Sequence, residues 1–116
     1  MKNICERTFE FAVRVVKLCQ ELDKIQGVSR TLGNQLLRAG TSIAANVEEA
    51  QAGQSRADFI NKNAIALKEA RETHYWLRLL IATSIMSEAR LCGLLNEAAE
   101  MKLVIGSIIV STKRKK

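Results

Sequence analysis

Proline is missing from all 116 residues, and five aromatic side chains, one histidine and three cysteines are the whole stock of those types. Without proline nothing removes a backbone donor or clashes inside a helix, so long unbroken helices are permitted. Few aromatics beside plentiful Ala, Leu and Ile argue against a sandwich or barrel built of short strands and turns. Cys5, Cys19 and Cys92 are odd in number, far apart and without a CxxC pair. That excludes a disulfide framework read from spacing and suits thiols used as small apolar residues in a reduced, cytoplasmic protein. No apolar run approaches the roughly 18 residues of a membrane span. Glu6, Arg7, Glu10 and Arg14 break up the N-terminal apolar residues, so neither a membrane contact nor a secretory leader is expected.

Scarcity also limits the chemistry. His74 is the sole imidazole, and nothing local pairs it with Cys5 or Cys92 as nucleophile and base, so no catalytic residue is expected and the chain reads as a non-enzyme. A bundle metal site uses Glu-x-x-His on facing helices, but neither Glu48 nor Glu49 has a histidine three residues on, and Arg71 occupies the position three before His74. Glu69 and Glu72 complete the carboxylates of that region; no metal and no cofactor is expected. Gly33 and Gly40 lie seven apart inside a helical pattern rather than between a strand and a helix, which suits close helix approach and not a phosphate loop.

What is present is helical rhythm. Leu32, Leu36, Ala39, Ile43, Val47 and Ala50 recur every three or four residues, and after Gly53 and Ser55 the spacing restarts through Phe59, Ala66, Ala70, Thr73, Leu77 and Leu80. An earlier helix is expected from about Ile4 to Ile25, with Phe9, Ala12, Val13, Val16, Cys19 and Leu22 inward and Phe11, Val15 and Leu18 widening the stripe. Gly27 is expected to end it and Ser29 to cap the second helix. Ser55 and Asp58 have capping-box spacing for the third, and Ser84 or Ser87 caps a fourth that runs through Leu91, Leu94, Leu95, Ala98, Met101, Ile105, Ile108, Ile109 and Thr112. Short connections force antiparallel neighbours, so the spacing predicts an all-α, up-down-up-down four-helix bundle of one domain over residues 1–112, followed by a basic tail at 113–116. Gln35, Arg38, Ser42, Asn46, Glu49 and Glu72 are expected to form a structural polar network, because polar groups near an apolar face are costly unless bonded.

The segment Leu32-x-x-Gln35-Leu-x-Arg38-Ala-x-x-Ser42-Ile-x-x-Asn46-Val-x-Glu49, then Phe59, then Ala66-Leu-x-x-Ala70-x-Glu72-Thr-x-Tyr75-x-Leu77, resembles the bacterial four-helix-bundle proteins encoded within intervening sequences of 23S ribosomal RNA genes. The family's usual Glu-Gly is Glu49-Ala50 here. Related sequences occur in the accessory protein of diversity-generating retroelements, a basic pentamer that works with a reverse transcriptase and its template RNA. The resemblance implies a non-enzymatic homo-oligomer, a pentamer, with RNA or another nucleic acid as partner and a reverse transcriptase as a second candidate.

The formal charge is +6, yet the first 112 residues hold 14 basic and 12 acidic groups, so Lys113, Arg114, Lys115 and Lys116 supply most of the excess. Such a tail suits a polyanion or simply a solvated terminus. Arg14 and Lys17 belong to a first-helix stripe that Glu10 and Glu21 neutralise at i,i+4 spacing. On the third helix Lys68, Arg71, Tyr75 and Arg78 form a basic strip with an aromatic between two arginines, a combination that grips phosphate and stacks on bases. The competing reading has Glu69 and Glu72 lacing that surface and Tyr75 packing at a bundle edge. Arg56 adds a candidate phosphate contact, and Arg38 is either another or a partner of Glu49 or Glu72. Two functions follow: binding of structured RNA or other nucleic acid through basic residues, or a protein-interaction scaffold docking through apolar stripes of the first and fourth helices.

Overall fold

The structure, a computed structural model, describes residues 2–115 and contains four helices: α1 (Ile4–Leu22), α2 (Val28–Gln51), α3 (Arg56–Ala82) and α4 (Glu88–Arg114). Each start has a local cause. Asn3 accepts the Glu6 amide, Ser55 accepts the Asp58 amide and Ser87 accepts the Arg90 amide, three side-chain caps on otherwise orphan donors. The second helix differs from expectation. It begins one residue before Ser29, with Gly27 as N-cap at φ 91°, a conformation that favours glycine, and no side-chain cap bond. The first helix stops at Leu22, three residues short of the expected Ile25. Ser84, one of two candidate caps for α4, instead adopts φ 61° in the turn, leaving the cap to Ser87.

Consecutive helices run antiparallel in an elongated bundle measuring 50 × 22 × 22 Å. α1 packs on α2 and α4, and α3 packs on α2 and α4, so α1 and α3 are diagonal. The core joins Phe11, Val15, Leu18 and Leu22 to Leu36, Ile43 and Val47, then to Ala66, Ala70, Leu77 and Leu80, and finally to Leu91, Ala98, Met101 and Ile105. Roughly 1.5–3 kcal/mol per large apolar side chain removed from water is the driving term.

Two small residues set the approach of α1 to α2. A Cβ at Gly40 would come within 2.8 Å of Val15, and one at Gly33 within 3.0 Å of Leu22. The close-approach reading of these glycines holds, inside one bundle. It also explains a correction to α1. Phe9, Val13 and Val16, expected inward, are exposed, Phe9 by 57%. The helix instead turns Phe11, Val15 and Leu18 into the core, because α2 offers recesses that receive Val15 and Leu22.

Buried polar groups mostly bond back along their own helix. Thr8 donates to the Ile4 carbonyl, Asn63 to that of Phe59, and Thr73 to that of Glu69. Asn46 donates to the carbonyl and hydroxyl of Ser42, also within α2. Gln35 and Glu49, expected in a network with them, are exposed. Of the expected network only Arg38 and Glu72 link two helices, α2 and α3. Further polar links between helices are those of Arg7 of α1, which donates to both carboxylate oxygens of Glu97 on α4, at 3.1 and 2.7 Å, and of the Cys19 thiol, which donates to the Gly33 carbonyl.

Candidate nucleic-acid interface

The third helix carries one ridge of exposed polar residues, Lys68, Arg71, Tyr75 and Arg78, all of which the structure leaves on the surface. Their spacing of three, four and three keeps them on one stripe about 15 Å long. Whether that ridge is basic depends on where Glu69 and Glu72 point. Both turn towards α2, where Arg38 bonds Glu69 at 3.1 Å and pairs with Glu72 as well. Glu69 is only 8% exposed. The carboxylates that sequence spacing offered as neutralising partners are therefore spent on Arg38, and among the described residues none of Lys68, Arg71 and Arg78 belongs to an ion pair.

The same connection reaches the aromatic. Glu72 accepts the indole N–H of Trp76 at 3.1 Å, and the Trp76 ring meets that of Tyr75 edge to face with centroids 5.0 Å apart. Arg38, Glu72, Trp76 and Tyr75 thus form a continuous chain from α2 to the exposed ridge. Tyr75 is 49% exposed and lies with Arg78, Leu79 and Ala82 around a shallow depression. Its ring is held by Trp76 yet open on the surface, an arrangement that can stack on a nucleobase between two guanidinium groups.

Cations of two helices act on His74, which lies on α3 beside the ridge. His74 is half-buried, and its pKa is lowered first by burial and then by Lys102 of α4 and Arg78. Lys102, which the sequence reading did not single out, thereby joins Arg71 and Arg78 on the α3 to α4 side. The periodicity of α3 alone cannot find it, because it comes from a neighbouring helix.

Other expected contacts fall into separate places. Arg14 and Lys17 are exposed on α1, the helix diagonal to α3, so they do not extend the ridge. Arg14 lies against Gly93 of α4, and Glu21 pairs with Arg90, not with Lys17. Arg56 donates to the backbone carbonyl of Lys115, tying the start of α3 to the end of α4. Lys113 and Arg114 lie in the last turn of α4, where cations complement the helix dipole, and Lys115 is its C-cap. Lys116 lies outside the described residues.

Among the described residues no group of three or more metal-ligating side chains gathers, and no helix is long and apolar enough to cross a membrane. Among the described residues, large apolar side chains are exposed besides the ridge at Ile25 and Val28, about the connection of α1 to α2, and on α1 and α4. On α1, Phe9, Ala12, Val13 and Val16 line a depression with Lys17 and Gln20. On α4, Leu103 and Val110 stand exposed within the helix's second half, beyond Arg90, Gly93, Glu97 and Glu100, where α1 makes its polar contacts.

Comparison with known proteins places this arrangement. No curated protein matches the chain. A crystal structure from Bacteroides thetaiotaomicron VPI-5482, of a protein with unknown function from the S23 ribosomal protein family, is similar at 45% identity and a TM-score of 0.85, covering 92% of this chain and 98% of that one. The model of the 23S rRNA-intervening sequence protein family matches residues 2–107. With four antiparallel helices, near-complete coverage of a solved relative and a family match over almost the whole bundle, the chain belongs to the 23S rRNA-intervening sequence protein family.

Proposed function

We propose that this protein is a non-enzymatic, self-associating helical bundle that binds structured RNA or another nucleic acid through the α3 ridge. The observation that carries this reading is the diversion of Glu69 and Glu72 to Arg38, which leaves Lys68, Arg71 and Arg78 unneutralised around an exposed, oriented tyrosine. The cations supply salt-dependent affinity for phosphate, and Tyr75 supplies a platform for an unstacked base. The cations at the end of α4 add contacts that carry no sequence information. Assembly into a pentamer would repeat the ridge and the α4 end five times, turning weak contacts into avid binding.

The test is binding of a structured RNA across a salt series, with the oligomer mass measured in parallel. Arg71→Ala and Arg78→Ala should each weaken binding and lower the slope of log affinity against log salt by roughly 0.7–0.9. Gln at 113–116 should weaken binding without abolishing it; substitution is preferable to truncation because Arg56 bonds the Lys115 carbonyl. Binding that disappears with the tail charges and ignores Arg71 and Arg78 would reject the ridge.

A scaffold reading has its own support in the exposed Phe9, Val13 and Val16 on α1. Large apolar side chains grouped on a surface mark interaction sites. Under this reading Val13→Ser abolishes capture of a protein partner, for example a reverse transcriptase, and leaves RNA affinity untouched.

A further inference from the structure

Gly106 lies in the interior of the 27-residue helix α4, yet a Cβ built there would meet no atom within 4 Å. The other glycines inside helices each face a neighbour: Gly33 faces Leu22, Gly40 faces Val15, and Gly93 faces the Arg14 guanidinium. A glycine in a helix interior weakens it relative to alanine, and nothing within the chain requires the missing methyl here. Gly106 opens onto a trough of about 670 Å³ between α3 and α4. Leu67, Leu103, Ile109 and Val110 make its apolar lining, and its charged residues are Arg71, Lys102 and Arg114, with no carboxylate among them. Leu103 is 73% exposed in the single chain.

We propose that this trough docks an acidic amphipathic helix of a partner protein, with apolar side chains on Leu67, Leu103 and Val110 and carboxylates on Arg71, Lys102 and Arg114. A valley between two antiparallel helices accepts a third helix lengthwise, and its side chains at i, i+3, i+4 and i+7 anchor it. Lys102 and Arg114 are about 18 Å apart along the axis, the length of some three helical turns. The bare Gly106 backbone lets the partner approach where any side chain would hold it off. An aliphatic lining suits aliphatic side chains, whereas stacked nucleobases use aromatic platforms. The exposed apolar face on this chain's own α1 is a poor match, since Lys17 stands beside Phe9, Val13 and Val16 and would meet like charges. The proposal goes beyond the nucleic-acid reading and does not rest on it: Arg71 and Arg114 border both surfaces, but Tyr75 and Arg78 lie outside the trough.

The probe is a fluorescent peptide of about 14 residues with Leu at i, i+3, i+4 and i+7 and Glu on the opposite face, compared with a scrambled peptide of identical composition. Anisotropy is read on the full chain and on Gly106→Leu, which fills the trough while improving helix propensity. The patterned peptide should bind at least about tenfold more tightly than the scramble, and Gly106→Leu should remove that binding at least about tenfold, tenfold being 1.4 kcal/mol. The melting temperature of Gly106→Leu should rise, separating blockage from misfolding, and affinity for structured RNA should stay within about twofold of the parent. Equal binding of the two peptides, or full peptide binding by Gly106→Leu, would overturn the proposal. So would loss of RNA binding in Gly106→Leu, which would make the trough a nucleic-acid groove, or a changed oligomer mass, which would make it a contact between copies.

Discussion

Val15 on α1 stands so close over Gly40 on α2 that a methyl group at residue 40 would meet Val15 Cγ1 at 2.8 Å. Valine has little rotamer freedom in a helix with which to retreat. Gly40→Ala should therefore destabilise the bundle, overpacking costing about 1–3 kcal/mol against a propensity gain of about 1 kcal/mol. Urea titration of the two proteins checks this; an alanine variant as stable as the parent would mean that α1 can shift away freely.

Arg38 governs both stability and surface charge. Arg38→Met leaves the nearly buried Glu69 without its cation, and the expected loss is about 1–3 kcal/mol. Adding Glu69→Leu should restore most of it, the non-additivity of a pair in contact. If single and double variants lose the same amount, the ion pair is not the source of the effect.

The pH dependence has a definite sign at His74. Its folded pKa lies below the ordinary 6.5 because burial, Lys102 and Arg78 disfavour the imidazolium. The unfolded chain thus binds the proton more readily, and stability is lost as pH falls through 6.5 towards the folded value. His74→Gln should flatten this part of the profile of denaturation midpoint against pH, above the range where carboxylates titrate. An unchanged profile would assign the dependence to other groups.

The three thiols should separate by reactivity. Cys92 is exposed and Cys5 half-buried, with the Cys5 pKa raised by burial, Glu48 and Glu6. Burial pushes Cys19 up to about 11, and its thiol donates to the Gly33 carbonyl. A thiol-reactive chromophore should modify Cys92 first, Cys5 more slowly, and Cys19 only on unfolding, because the thiolate is the reacting species. Mass mapping of a time course gives the order, and early labelling of Cys19 would contradict the packing of α1 on α2.

Asn46 and Glu49 share a motif and differ in environment. Asn46→Leu removes bonds to Ser42 inside α2, an expected loss of about 0.5–1.5 kcal/mol. Glu49 is exposed, so Glu49→Leu should change single-chain stability by no more than about 0.5 kcal/mol. Any change in oligomer mass with Glu49→Leu then reports on association alone.

Much of the bundle was legible in local chemistry. The caps at Ser55 and Ser87, the breaks near Gly27 and Gly53, and the buried faces of α2, α3 and α4 follow from side chains within a few residues of each other. The first helix was not legible in the same way. Apolar residues cover more than half its circumference, and both Phe9-Val13-Val16 and Phe11-Val15-Leu18 satisfy helical spacing. The choice belongs to α2, whose glycines offer room to one set. The Arg38 partnership had two sequence candidates, Glu49 and Glu72, and the fold brings it to Glu72 and Glu69.

The amino-acid sequence by itself determined four helices, their antiparallel order and an excess of cations on α3 and at the end of α4, because capping, periodicity and charge are local properties. Tertiary structure alone decided which face of α1 is buried, which carboxylates neutralise which guanidinium groups, and that Lys102, Arg71 and Arg114 border one trough around Gly106. Those outcomes depend on contacts between residues tens of positions apart, set by helix packing that no single helix encodes.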